Sequence, residues 1–388
     1  MKTGLLVLVS VLIVGSIVYL EAGKVRPPAP QDLAVEEVQA PAASGEAEGD
    51  GGNSPAENSF APVPKPIGDK SKLLVRAKEI TTPDGFINTD KITIGEHVGK
   101  SVVLLDIWTY SCINCQRTIP YLNAWWQKYK DKGLVIVGLH TPEFEFEKKY
   151  ENVLAAVKKF GVGYPVVLDN DYSTWHAYAN RYWPRKYLID IDGYIVYDHI
   201  GEGSYEETEK RIQVALAERM ERLGMKGGIA ADVAKPSGAQ AVDPRGLGSP
   251  EVYFGANRNE YLGNGAIGTV GWQELFPPAN VLLNKLYLVG DWNIQSEYAE
   301  TRSAARIIFR YKAKNVYLVG SAASPVTVHV LRDGKPVGAE AGEDVKSGTM
   351  TIKDDRLYKV IEDSSYGEHT LELLIENPGF KVFTFTFG

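Results

Sequence analysis

The chain holds only two cysteines, Cys112 and Cys115, and they fall between a wholly apolar run and an amphipathic helical pattern. The run Val102-Val103-Leu104-Leu105-Asp106-Ile107 is the kind of short stretch that a strand buried on both faces requires. Beyond it, apolar side chains recur at Cys115, Ile119, Leu122, Trp126 and Tyr129, which predicts a helix that stops before Gly133. A buried strand feeding a helix belongs to an α/β sheet. With no further cysteine, a disulfide-stapled scaffold and a four-cysteine zinc site are excluded.

The same alternation continues. Residues 134–139 read as a second strand and 146–160 as a helix ended by Gly161. Residues 165–168 and 186–191 read as strands, Asp192-Gly193 as a hairpin turn into 194–199, and 204–223 as a closing amphipathic helix. From residue 250 the period changes to two. Ile307/Phe309/Tyr311, Val326/Val328/Val330, Leu371/Leu373/Ile375 and Phe383/Phe385/Phe387 each place alternate apolar side chains on one face. Turn signals such as Arg332-Asp333-Gly334 and Asn377-Pro378-Gly379 separate them, which predicts a β-sandwich of jelly-roll type.

A length of 388 residues accommodates two domains with connecting material. Residues 4–20 carry no charge and, at about 1.5 Å rise per residue, are just long enough to span a thin hydrocarbon core. They are expected to form an uncleaved anchor within residues 1–23, with Lys2 inside and the remainder of the chain outside the cytoplasm. Secretion after signal cleavage is the alternative. Residues 24–66, with eight prolines, read as a disordered tether. Residues 67–223 then form the first domain, 224–248 a Gly/Ala/Pro-rich linker, and 249–388 the second domain. The balance of 42 Lys+Arg against 49 Asp+Glu, without a basic block, argues against nucleic acid as a partner.

The position of Cys112-Ile113-Asn114-Cys115 carries the chemistry. Unpaired amides and the positive end of a helix dipole stabilise a thiolate, and only the thiolate attacks a disulfide. The second sulfur, one turn on, can then attack the mixed disulfide and release the product. Half a zinc site and two inert core cysteines are the alternatives. The six histidines are scattered without paired ligand spacing, so no metal is expected. No organic cofactor is expected either, the redox group being the Cys112–Cys115 pair itself.

At these residues the chain resembles the thioredoxin family. Trp108 lies four before the first cysteine, Asp106 six before it and Pro120 eight after it. Trp183-Pro184, ahead of a strand, looks like the family's cis-proline loop, which frames the substrate groove together with Trp108. The strings SCINCQRTIPYL, HTPEFEFE, DNDYSTWHAYANRYWPRKYLIDIDGYIVYDHIGEGSYEETE and the ending FTFTFG are similar to the extracytoplasmic part of DipZ-type thiol-disulfide proteins, over about residues 72–388. The resemblance implies that Cys112 is the nucleophile, Cys115 the resolving thiol and Asp106 a buried carboxyl that takes the proton from Cys115. It implies an acid near the cysteines, matched by Glu143, with Glu145 and Glu147 as neighbours in contention. It also implies protein disulfides as substrates and a separate CcdA- or DsbD-like membrane protein as electron donor. For the second domain it implies a carbohydrate-binding-like module; Trp272, Trp292 or Tyr298 are candidates to stack on sugar rings if exposed, the alternative being that they are core residues or part of the contact between the domains. Trp108 and Tyr110 are expected at the rim of the site, and Arg117 on the solvent side of its helix.

Four readings compete. Thr109-x-x-Cys112 is also a peroxiredoxin pattern, but Leu105 stands where that family has proline. Gly263–Gly268 spells GxGxxG without a preceding buried strand or a following helix, so it predicts no dinucleotide site. An envelope glycan- or partner-binding protein with a vestigial dithiol, and a disulfide-forming oxidant, remain as alternatives to a reductase. The Ile113-Asn114 pair, with no cation between the sulfurs, favours the reductase.

Overall fold

Strand β2 (Val102–Trp108) is buried at all seven positions, Asp106 included, because it lies at the interior of a six-stranded sheet of order β1-β4-β3-β2-β5-β6. The architecture is that of a computed structural model, described for residues 70–240 and 245–388. The apolar run at residues 4–20 and the proline-rich stretch 24–66 lie outside the described residues. Among the described residues no helix is long and apolar enough to cross a membrane.

On one side β2 pairs in parallel with β3 (Leu134–His140), which pairs in parallel with β4 (Val166–Leu168). On the other side it pairs antiparallel with β5 (Arg185–Ile189), and β5 with β6 (Ile195–Ile200). A short strand β1 (Gly85–Ile87) closes the β4 edge antiparallel. Helices Ile113–Tyr129, Tyr150–Lys159 and Tyr205–Arg222 follow the expected order. The helix expected over 146–160 is interrupted. Glu145–Lys148 form a 3-10 turn, and Lys149, extended at φ −72°, ψ 119°, separates it from the α-helix. Residues 224–240 do not simply bridge domains: Ile229 is 6% exposed against the first domain's core, and the Ala234 amide donates to Glu209.

The carboxy-terminal half is β-rich. Two long strands organise it, β8 (Ala305–Ala322) and β9 (Arg356–Ile375), paired along almost their whole length with bulges near Asn315 and Val316. The opposite edge of β8 changes partner, from β7 (Leu286–Ile294) at Arg306–Phe309 to β10 (Phe380–Phe387) at Val316–Ala322. The short separate strands expected from the sequence are thus joined into one hydrogen-bonded network.

Along β8 the two faces serve two cores. Val316 and Leu318 enter the β-domain core, whereas Tyr317 and Val319 pack on the first domain's core. Phe383 corrects the sequence reading. Alternation puts it on the face of Phe385 and Phe387, but the register jumps from Val319↔Thr384 to Gly320↔Val382 and leaves Phe383 unpaired with β8. Such a bulge turns a side chain to the other face. Phe383 therefore wedges into the first domain, its ring centroid 5.0 Å from Phe144 and 4.8 Å from Phe146.

Removing that wedge tests how strongly the halves are joined. Phe383 is 4% exposed, and truncation of a buried Phe costs about 3–5 kcal/mol. Phe383→Ala should lower the unfolding free energy in urea by about 3 kcal/mol; a loss below about 1 kcal/mol would show that the seam contributes little.

Candidate redox site

The site is built at the carboxyl end of β2, where ligands of open α/β sheets gather. The chain leaves the strand at Trp108, and Cys112, extended at φ −76°, ψ 120°, caps helix Ile113–Tyr129. The Cys115 amide donates to Cys112 Sγ at 3.4 Å. Both thiols are free; Cys112 is half-buried and Cys115 is 1% exposed. Burial first, then the Cys112 sulfur and the Asp106 carboxylate, push the Cys115 thiol well up, while the Thr109 backbone works against them.

Asp106 is 1% exposed, and Oδ1 accepts no hydrogen bond from the described residues. Burial raises its pKa from 3.8 to about 6, the Lys186 charge opposing the rise. Lys186 stands directly across the β2–β5 ladder from Asp106, fully buried, and its ammonium donates to the Gly201 carbonyl at 3.1 Å. Burial drives that lysine down from its ordinary value against the pull of Asp106 and Cys115. Lys186 is the site neighbour that sequence reasoning missed. A signal existed: it is one cation in the otherwise uncharged stretch Lys186–Ile189, at a position whose neighbours alternate into the core.

The acids after β3 part ways. Glu143, the residue singled out from the sequence, accepts from Tyr253 Oη at 2.9 Å and from Arg258 Nη1 at 2.8 Å, both on the second domain. Glu147 is the fully buried one, beneath the residue preceding Cys112. It accepts from the Ser111 amide and hydroxyl (3.1 and 2.7 Å) and from the Glu143 and Phe144 amides (2.6 and 3.0 Å). Burial raises its pKa despite the Thr109 and Ser111 hydrogen bonds. Glu145 is a surface residue paired with Lys148.

Trp108 and Tyr110 frame buried His140, one edge-on at 5.2 Å and the other stacked at 5.7 Å between centroids. Burial holds that histidine neutral, at about 3. Tyr110 also donates to the Asp355 carbonyl of the second domain at 3.0 Å, so it belongs to the seam as much as to the rim. Arg117 is another correction. It is 5% exposed rather than solvated, because Glu202 takes Nε and Nη2 at 2.8 Å each and Tyr317 lies under the guanidinium. The Trp183–Pro184 bond is cis. Trp183 donates to the Thr141 carbonyl at 3.0 Å and, with Glu143, Tyr253 and Arg258, lines a cavity of about 300 Å³ between the domains.

Of the three candidates for stacking on sugar, Trp292 is fully buried in the β core and Tyr298 packs on Phe383 at 5.2 Å. Trp272 is 58% exposed, with Arg302 4.2 Å above its ring. Asp190, Asp192 and Glu218 converge as metal ligands might, but Lys70 Nζ reaches them at 2.6, 2.9 and 2.5 Å and supplies the positive charge itself.

A cysteine pair at the start of the helix after a central buried strand, in a sheet of this order, defines a thioredoxin-like α/β domain, here followed by a β-rich one. Residues 77–216 match the Redoxin family and residues 249–388 the family described as thioredoxin like C-terminal domain. Protein DipZ of Mycobacterium tuberculosis is 37% identical over 319 residues, 79% of this chain and 43% of that protein, so the chain spans less than half of that relative's length. Thiol-disulfide oxidoreductase ResA of Bacillus cereus is 33% identical over 149 residues, covering 37% of this chain and 80% of ResA. Thiol-disulfide oxidoreductase YkuV of Bacillus subtilis is 26% identical over 147 residues, 38% of this chain and 98% of YkuV. The chain belongs to the thioredoxin-like thiol-disulfide oxidoreductase family.

The Asp106 environment has a measurable sign. A carboxyl whose pKa is higher folded than unfolded binds its proton more tightly in the native state, so stability falls as pH rises from about 4 through about 6. The rise from 3.8 to about 6 corresponds to about 3 kcal/mol. Asp106→Asn removes that loss. Its stability relative to wild type should therefore increase by about 2–3 kcal/mol between pH 4 and pH 7.5 in urea unfolding; a pH-independent difference would mean that Asp106 does not titrate in this range.

Proposed function

We propose that the protein is an extracytoplasmic reductase of protein disulfides, held at the membrane by residues 4–20 or released after their removal. The observation that carries this reading is the asymmetry of the two sulfurs: Cys112 is half-buried at the helix start, whereas Cys115 is enclosed beside Asp106. In the first step the Cys112 thiolate attacks a substrate disulfide, forming a mixed disulfide and expelling one substrate thiolate, which takes up a proton. In the second, Asp106 accepts the Cys115 proton and the Cys115 thiolate attacks Cys112 Sγ. The second substrate thiol leaves, and two electrons have passed to the substrate from the pair, now Cys112–Cys115 disulfide. A CcdA- or DsbD-like membrane protein restores the dithiol in this scheme.

Direction follows from which redox form the protein stabilises. Strong oxidants of this chemistry depress the nucleophile's pKa with nearby positive charge. Here residues 113 and 114 are uncharged, the near guanidinium of Arg117 is committed to Glu202, and burial opposes ionisation of Cys115. These features favour the disulfide form and hence a reducing potential. The β-rich half, read as a jelly-roll-type sandwich, offers Trp272 as the aromatic exposed to a glycan ring.

Equilibrating the full chain against glutathione and dithiothreitol buffers should give a potential near the thioredoxin value of about −270 mV; one near about −120 mV would make the protein a disulfide-forming oxidant. Insulin reduction should proceed with wild type and stop with Cys112→Ser. Near pH 7, Asp106→Asn should slow release of a Cys112 mixed disulfide at least tenfold; an unchanged rate would remove Asp106 from the second step.

A further inference from the structure

A second cleft, of about 620 Å³, opens between the domains on the side of Tyr110 and Gln116, apart from the cavity at Trp183. Its size is that of a small-molecule site. Its charge is out of character for the chain. The whole sequence carries a net −7, yet Lys149, Lys159, Lys353, Arg356 and Lys381 line this cleft against two carboxylates, Asp354 and Asp355. Two of the cations are already matched: Lys149 pairs with Asp355 at 3.2 Å and Arg356 with Asp344 at 2.7 Å. Asp355 is further occupied by Ser321 and Asn152.

Lys159, Lys353 and Lys381 have no carboxylate of the described residues in ion-pair range, and Lys381 lies over the Tyr298 ring instead. Three ammonium groups, one from the first domain and two from the second, thus share the cleft's lining with one carboxylate, Asp354, that the described ion pairs leave over. Like charges gathered around one concavity raise each other's cost, and an anion between them removes it. Burial and the neighbouring Arg356 push the Lys159 ammonium down from its ordinary value against the pull of Asp344 and Glu343.

We propose that this cleft is a binding site for a polyvalent phosphate anion, bridging Lys159 of the thioredoxin-like domain to Lys353 and Lys381 of the β-rich domain. Two features select the ligand class. The volume exceeds what one phosphate fills, so the charge should be spread over linked phosphate groups. The three lysines without an ion-pair partner among the described residues are point charges on flexible stems, which can follow the oxygens of linked phosphate groups. Free diphosphate and a phosphodiester polymer present the same chemistry.

The test is calorimetric titration of the full chain at low ionic strength with inorganic pyrophosphate, alongside a poly(glycerol phosphate) fragment and hexaglutamate. Saturable pyrophosphate binding should be lost or weakened at least tenfold in Lys159→Gln/Lys353→Gln and weakened in Lys381→Gln. It should be unchanged in Lys335→Gln, which alters an exposed lysine of strand Lys335–Pro336 outside the cleft. Tighter binding of the phosphate polymer than of pyrophosphate would identify the polymer as the source and support the site. Absence of saturable pyrophosphate binding, equal weakening in Lys335→Gln, or tighter binding of hexaglutamate would overturn it. Near-ultraviolet circular dichroism of each variant confirms that the fold is intact.

Discussion

Burying Asp106 in the middle of the central strand is the constraint on which the site depends. A lone carboxylate there is opposed by desolvation, and the protein answers in two ways: the pKa rises to about 6, and Lys186 stands across the ladder. Asp106, Lys186 and Cys115 are buried together and bear on one another's charge, so their protonation states are linked. Ionising Cys115 beside an ionised Asp106 is doubly unfavourable, whereas moving its proton onto Asp106 conserves the charge of the group. Strand register, set by the apolar neighbours of Asp106, thereby determines the acid–base chemistry available to the second sulfur.

The β-rich domain is part of the same construction. It reaches the segment before the active-site helix through the Tyr110–Asp355 hydrogen bond, the helix through Tyr317 under Arg117, and the loop after β3 through Phe383 and Arg258. The seam combines an aromatic wedge with the ion pairs Glu143–Arg258 and Lys149–Asp355, whose cations are 41% and 62% exposed. The exposed pairs contribute little individually. Their role is orientation, which explains why Glu143 is satisfied by two second-domain donors at once.

Much of this was legible in the sequence. The all-apolar run and the helical spacing after it located β2, the helix and the dithiol, and alternate apolar residues marked the β-rich half. What escaped were consequences of pairing. Phe383 changes face through a bulge that no period-two count contains. Arg117 looked solvated because its partner, Glu202, is 85 residues away. Lys186 matters through register with Asp106, a relation absent from either segment alone. Trp292 had two readings in the sequence, sugar stacking and core, and only its burial decides for the core, since aromatic residues serve interior and surface alike.

Hydrogen-bond accounting separates the acids near the thiols. Four donors from Ser111, Glu143 and Phe144 converge on Glu147, so its protonation would leave donors facing a neutral acid. Glu143 has Tyr253 and Arg258 on one oxygen, which ties the loop after β3 to the second domain. Asp106 has an oxygen that no described residue engages and a pKa lifted into the range where a proton can be both accepted and returned. The two glutamates are thus suited to hold the loop and the seam. The strand carboxyl, whose Oδ1 no described residue engages, is the one fitted to the proposed proton transfer with Cys115.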